Sequence, residues 1–315
     1  MYQHAQCNYC LSEEYRVVSE GIRDWEYGVE GRYSYLECAS CHGIQIFPFP
    51  SLEDLKKAYD IDYHGYASSA RRGPVFSLLY GVQKWLFQRK MRRLIDPSSR
   101  VLDVGCGQGD FLRSLKELGT AKLEGIDFSP DMIDALAAEG IPGYCGTFPD
   151  FPGMPDSYDM ISMNNYLEHT LEPEKELDKA YDLLAPGGIL VGEVPGFDSW
   201  ERRLFGRFWG GNHVPRHTYQ FSSAFLVRLL QGSGYDTIEI HHQLNTSHWA
   251  LSVQNFMQRN KANLRGNPDL KHGRSWYYVP LLLAFIPINV ICVLFHKCGC
   301  IRFSARKQSY RAGHA

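Results

Sequence analysis

A short apolar run holding one acid, Val101-Leu-Asp-Val104, leads straight into glycines at 105, 107 and 109. Glycine at every second position lets the backbone take positive φ and removes the Cβ atoms that would hold a ligand away. The run reads as a buried strand and the glycines as a strand-to-helix loop. The segments that follow alternate in the same way. Phe111 to Leu118 reads as a helix ending at Gly119, and Leu123 to Ile126 as a second strand. Ser129-Pro130 gives a helix cap followed by proline at the first helical position, and Gly140 closes that helix. Tyr158 to Met163 reads as a strand, Glu174 to Leu184 as a helix, Pro186-Gly187-Gly188 as a turn and Ile189 to Val194 as a strand. Strands separated by single helices build a parallel sheet with helices on both faces, so the fold class is doubly wound α/β.

In such a sheet the ligand sits at the carboxyl ends of the strands, closest to the first strand-to-helix loop. A dinucleotide loop would read GxGxxG; here the spacing is GxGxG after Asp103, which argues against NAD. The stretch Asp103-Val-Gly105-Cys106-Gly107-Gln-Gly109 resembles the first motif of the class I S-adenosylmethionine-dependent methyltransferases. Three further stretches are similar to that family in order: Leu123-Glu-Gly-Ile-Asp127-Phe128, Met160 to His169, and Ala185-Pro-Gly-Gly188. The resemblance implies a seven-stranded Rossmann-like sheet and S-adenosylmethionine as cofactor. It places Asp127 on the ribose hydroxyls, Asp103 near the methionine end, and Phe128 beside the adenine. Gly105, Cys106, Gly107, Gly109 and Asn164 would complete the cofactor site. Where the family often has an acid near the adenine amine, this chain reads Tyr144-Cys-Gly-Thr147-Phe148; that contact is expected from the backbone or from Thr147, with Phe148 among the cofactor-binding candidates.

Four of the nine cysteines fall in two CxxC pairs, Cys7/Cys10 and Cys38/Cys41, with 27 residues between them. Two such knuckles complete a tetrahedral four-cysteine zinc site, with a hairpin around Tyr33, Tyr35 and Leu36 between them. A small N-terminal zinc ribbon follows, since a segment of this size lacks a core of its own. A redox dithiol is the alternative; neither pair opens a βα unit. The N-terminus shows no secretory pattern, and the expected location is cytoplasmic, with membrane association left open by the C-terminal segment.

The expected organisation is a zinc ribbon over 1–50, a helical and aromatic connection over 51–98, a methyltransferase core over 99–245, an apolar helical insertion over 246–298, and a last core strand and tail over 299–315. Within the connection, Tyr63, His64 and Tyr66 suggest a lid as an alternative to simple packing. Val279 to Phe295 holds 17 residues without a charge. Pro280, Pro287 and Asn289 interrupt it, so a broken helical pair that packs on the core or dips into a membrane interface is expected rather than a span. Ile301 to Arg306 alternates like a strand and resembles the antiparallel strand inserted last into the family's sheet.

The function expected is methyl transfer to oxygen of a small-molecule, sugar or lipid-linked acceptor. The candidate catalytic residues are His169, His213 and His217, all expected in loops at the carboxyl edge, with His169 and His217 as base and orienter. Arg216 is the candidate clamp for an anionic group. Glu168 with His169 is an alternative divalent-metal pair. Trp209 and Tyr219 are read either as pocket lining or as core. The net charge of -2 gives no drive toward nucleic acid. An RNA methyltransferase gripping its substrate with the ribbon, or a non-catalytic cofactor-binding scaffold, are the alternatives.

Overall fold

In the computed structural model, residues 6–59, 81, 85–120, 122–260 and 275–309 are described. The lid candidates Tyr63, His64 and Tyr66 lie outside them.

The chain opens with an antiparallel meander, β1 (Tyr15–Ile22), β2 (Tyr33–Cys38) and β3 (Ile44–Phe47). The central sheet uses β4 (Arg100–Val104), β5 (Lys122–Asp127), β6 (Gly143–Cys145), β7 (Tyr158–Asn164) and β8 (Leu184–Pro195). After the two-residue β9 (Tyr219–Gln220) come β10 (Asp236–His242) and β11 (Cys300–Arg306). The seven-stranded sheet runs β10-β11-β8-β7-β4-β5-β6, and β11 is antiparallel to both neighbours while the remaining pairs are parallel. This is the doubly wound Rossmann-like arrangement expected, including the inserted last strand.

Period-two alternation divides the core between the two faces. Leu102 and Val104 of β4 join Ile161, Met163 and Leu190 beneath the helices Pro173–Leu183 and Ser223–Gly232. Val101 joins Met160 and Ile189 beneath Asp110–Lys116 and Pro130–Ala138. Strands buried on both faces read as near-continuous apolar runs, as these do.

Two expectations change. The turn placed at Pro186 to Gly188 is absorbed into β8. Its register against β7 jumps from Tyr158↔Leu184 to Met160↔Ile189, so the intervening residues bulge, with Gly187 at φ 79°. The ribbon also does not close at residue 50. β9 pairs antiparallel with β3, Ile44 opposite Gln220, making a four-stranded sheet that draws its last strand from beyond β8.

Beyond β10 the apolar insertion forms Ser247–Met257, Tyr278–Ala284 and Ile286–Leu294, the broken pair meeting at Phe285. Among the described residues, no helix is long and apolar enough to cross a membrane.

Candidate active site

At the carboxyl end of β4 the three glycines take φ 68°, 48° and 78°. A Cβ on Gly105 would come within 2.7 Å of the Tyr166 ring, and one on Gly109 would strike the Leu136 side chain. Close packing therefore fixes glycine at those two positions. Gly107 has nothing within 4 Å of its absent side chain. It borders open space.

Beside this loop the Asp127 carboxylate, at the end of β5, is held by two backbone donors. The Gly107 N–H donates to Oδ2 and the Ser129 N–H to Oδ1, both at 2.9 Å. Each oxygen keeps a further lone pair. Burial raises the carboxyl above its ordinary value, against the pull of these amides. Asp103, one strand over, accepts from the Ser162 hydroxyl at 2.5 Å, and burial pushes it up to about 7.

The remaining cofactor candidates divide. Phe128 is exposed and meets Tyr59 edge-on at 5.4 Å, Thr147 is exposed with its hydroxyl on Asp150, and Asn164 is half-buried at the end of β7. Phe148 instead lies in the core with Lys179 over its ring, and the Cys106 side chain turns into the helical layer next to Gly125. Both are apolar enough to be drawn inward, so neither side chain stands at the sheet edge.

The three histidines do converge. The rings of His169 and His217 meet at 4.6 Å and those of His213 and His217 at 5.0 Å. Backbone carbonyls face two of the rings. The Gly211 carbonyl lies 2.9 Å from His217 Nδ1, so that ring carries its proton on Nδ1, and the Arg216 carbonyl lies 3.2 Å from His169 Nδ1. Tyr59, whose hydroxyl is 2.7 Å from His169 Nδ1, links the cluster to Phe128. Burial holds all three imidazoles neutral, His169 down to about 3.

Glu168 backs them. It is buried, both carboxyl oxygens lack a hydrogen-bond donor among the described residues, and burial pushes it up to about 8. One donor atom from each of Glu168, His169 and His217 lies within 4.8 Å of the others. Acceptors gathered without a donor take up a shared proton or a cation, and this carboxylate and two imidazoles could hold a divalent metal.

Arg216 corrects the expectation of an anion clamp. Its side chain is 0% exposed, with Nη2 donating to Asp24 at 2.9 Å, Nη1 to the Ala58 carbonyl at 3.1 Å and Nε to His213 at 2.9 Å. His213 in turn faces Glu26 at 3.3 Å. The guanidinium is turned inward and joins ribbon to core. Trp209 and Tyr219 are core residues, at 0% and 1% exposure. Sequence reasoning missed Asp24 and Glu26, which sit 192 and 187 residues from their partners and carry no local pattern.

The four candidate zinc ligands gather as expected. Cys7 and Cys41 Sγ are 3.5 Å apart, Cys10 and Cys38 Sγ 3.4 Å, and all four lie within 4.8 Å. Tetrahedral zinc with bonds of about 2.3 Å requires sulfurs roughly 3.8 Å apart. The donor set fits that ion. Without one, burial pushes Cys7 up to about 11 and Cys41 higher.

Compared with known proteins, residues 81–240 match the sequence profile of a methyltransferase domain family. A trans-aconitate 2-methyltransferase of Mycobacterium tuberculosis is 34% identical over 103 residues, 32% of this chain and 39% of that protein. The chain thus spans about two fifths of that relative's length. A ubiquinone biosynthesis O-methyltransferase of Burkholderia pseudomallei is 23% identical over 159 residues, 46% of this chain and 67% of that protein. Among solved structures, the 4+2 cyclase SpnF has a similar fold, with a TM-score of 0.53 at 17% identity over 82% of this chain and 97% of its own.

Proposed function

Because this chain belongs to the methyltransferase-domain family, matched over residues 81–240, we propose that it transfers a methyl group from S-adenosylmethionine to an oxygen of a small-molecule, sugar or lipid-linked acceptor. The observation that carries this reading is the Asp127 carboxylate, held by the Gly107 and Ser129 amides with a lone pair on each oxygen left for vicinal ribose hydroxyls. The relatives support the acceptor class, since their names describe methylation of a small acid and of a quinone precursor.

When bound, S-adenosylmethionine supplies a methyl group on a sulfonium, ready for in-line displacement, and the protein's task is alignment and proton uptake. Asp127 and the amides of the glycine loop hold the nucleoside, Phe128 and Thr147 border the adenine, and Asp103 stands toward the cationic end. His169 is partly exposed and stands next to Tyr59 and, through it, Phe128. With a proton on Nδ1, facing the Arg216 carbonyl, its Nε2 lone pair takes the acceptor's hydroxyl proton, with the Glu168 carboxyl close behind it. The four cysteines would hold zinc, which would keep the ribbon folded.

Calorimetric titration with S-adenosylhomocysteine, beside NAD, tests the reading. Micromolar binding of the first ligand alone is expected, and Asp127→Ala should weaken it by about 2 to 4 kcal/mol through loss of two charge-assisted hydrogen bonds. Wild-type affinity in the variant would sink the ribose assignment.

A further inference from the structure

The helices Trp200–Phe205, Ser247–Met257, Tyr278–Ala284 and Ile286–Leu294 pack into a layer of their own. Aromatic contacts bind it internally: Phe205 on Trp249 at 5.9 Å, Trp249 stacked on Phe285 at 5.0 Å, Trp200 on Phe295 at 5.4 Å. Asn289, which interrupts the apolar run in sequence, is fully buried and exchanges hydrogen bonds with the Asn245 backbone, its Oδ1 accepting at 3.1 Å and its Nδ2 donating at 3.3 Å. The run is thereby pinned with its other side outward.

That outer side is strongly apolar. Trp276 is 87% exposed, Leu294 72%, Phe295 61%, Ile291 47%, Val279 46% and Ile288 39%. Water-soluble surfaces rarely present so many large apolar side chains together. At 1.5 Å per residue, the last two helices, of seven and nine residues, reach about 10 and 14 Å, well short of a span of about 30 Å. Charge completes the picture. Over 200–209, 247–259 and 275–297 the sole carboxylate is Glu201, 0% exposed, while Arg203, Arg207 and Arg259 are exposed. Arg203, Leu204, Arg207 and Phe256 line a shallow groove of about 550 Å³ in this layer.

We propose that this layer is a membrane foot, its two short apolar helices lying among the headgroups of an anionic lipid surface and its arginines meeting lipid phosphates. An apolar face bordered by exposed arginines, with tryptophan at its margin, matches that partner in both polarity and charge. β8 and β10 end at this layer and β11 begins from it, so it stands at the same carboxyl edge as the glycine loop. On the methyl-transfer reading the acceptor is then met at the membrane surface; the docking itself does not depend on that reading.

Sedimentation with phosphatidylcholine vesicles, with and without phosphatidylglycerol, tests it. The protein should pellet with the anionic vesicles and release as salt rises. Ile291→Asp with Leu294→Asp should lower vesicle affinity more than ten-fold, roughly, and so should Trp276→Ser, whose side chain is too exposed to disturb the core. Arg203→Glu with Arg207→Glu should lower it roughly thirty-fold on anionic vesicles only. Melting temperature and S-adenosylhomocysteine affinity, measured on every variant, separate lost docking from lost folding and from failure of the methyltransferase reading. A wild-type protein that stays in the supernatant overturns the proposal. So does a dimer in light scattering that the double aspartate variant dissolves, since the face would then belong to a second copy.

Discussion

Arg216 and Asp103 show how burial, more than residue type, decides what a charged side chain can do. With its guanidinium between Asp24, His213 and the Ala58 carbonyl, Arg216 compensates a carboxylate that also accepts from the Glu26, Tyr27 and Val29 amides. Arg216→Met should cost about 3 to 5 kcal/mol in urea unfolding, because Asp24 would be left buried and unpaired. A substrate clamp would instead raise KM and leave stability unchanged. Asp103 carries a pH signature. Its carboxyl titrates near 7 in the folded protein against an ordinary 3.8, so between those values the folded state keeps a proton that the unfolded state has lost. Stability therefore falls as pH rises through that window and levels off above it. Asp103→Asn removes the titration. Its stability relative to wild type should grow from pH 4 to 7 toward a ceiling of about 4 kcal/mol, measured by melting across pH, and a pH-independent difference would refute the buried, protonated carboxyl.

Elements whose signals are local match their expected places closely. Ser129 stands at the N-cap position of the helix Pro130–Ala138, although its side chain makes no capping hydrogen bond, and Gly140 follows the helix end at φ 71°. The glycine loop and Asp127 were legible for the same reason: 24 residues and two strand ends define their geometry. The ribbon was legible as far as its cysteines. That β3 would pair with Tyr219–Gln220, or that Tyr35 would donate toward the Asn212 and His217 carbonyls at 2.8 and 3.0 Å, was not, because such partners are fixed only when the sheet closes. The bulge in β8 escaped notice because proline and glycines read as a turn, whereas pairing with β7 on either side holds the chain extended. The β3–β9 pairing makes a prediction at this scale. Removing zinc with a chelator should raise hydrogen exchange in β2 and β3 and, with them, in Thr218 to Gln220. Unchanged protection of that distant segment would mean that the metal supports the first knuckles alone.

For the whole molecule the question is whether ribbon and sheet unfold separately. A boundary at residue 50 predicts that they do. Against it, Ile22, Tyr35 and Ile46 of the ribbon share one core with Phe197, Trp209 and Val214 from beyond β8, and the buried Arg216–Asp24 pair crosses the same junction. Opening the ribbon alone would expose that core and leave a buried charge unpaired, costs that belong to global unfolding. The zinc-loaded protein should therefore melt in one calorimetric transition, which a chelator moves to lower temperature without splitting. Cofactor should act on the same transition: S-adenosylhomocysteine at 100 times its Kd adds about 2.7 kcal/mol if it binds only the folded chain. The histidine cluster connects the two ligands, since His217 lies between the ribbon's Tyr35 and His169. Linkage then requires reciprocity, so that chelation weakens S-adenosylhomocysteine binding by the same factor by which the bound ligand tightens zinc. Two separated transitions, with unchanged cofactor affinity after zinc removal, would show the ribbon to be an independent appendage.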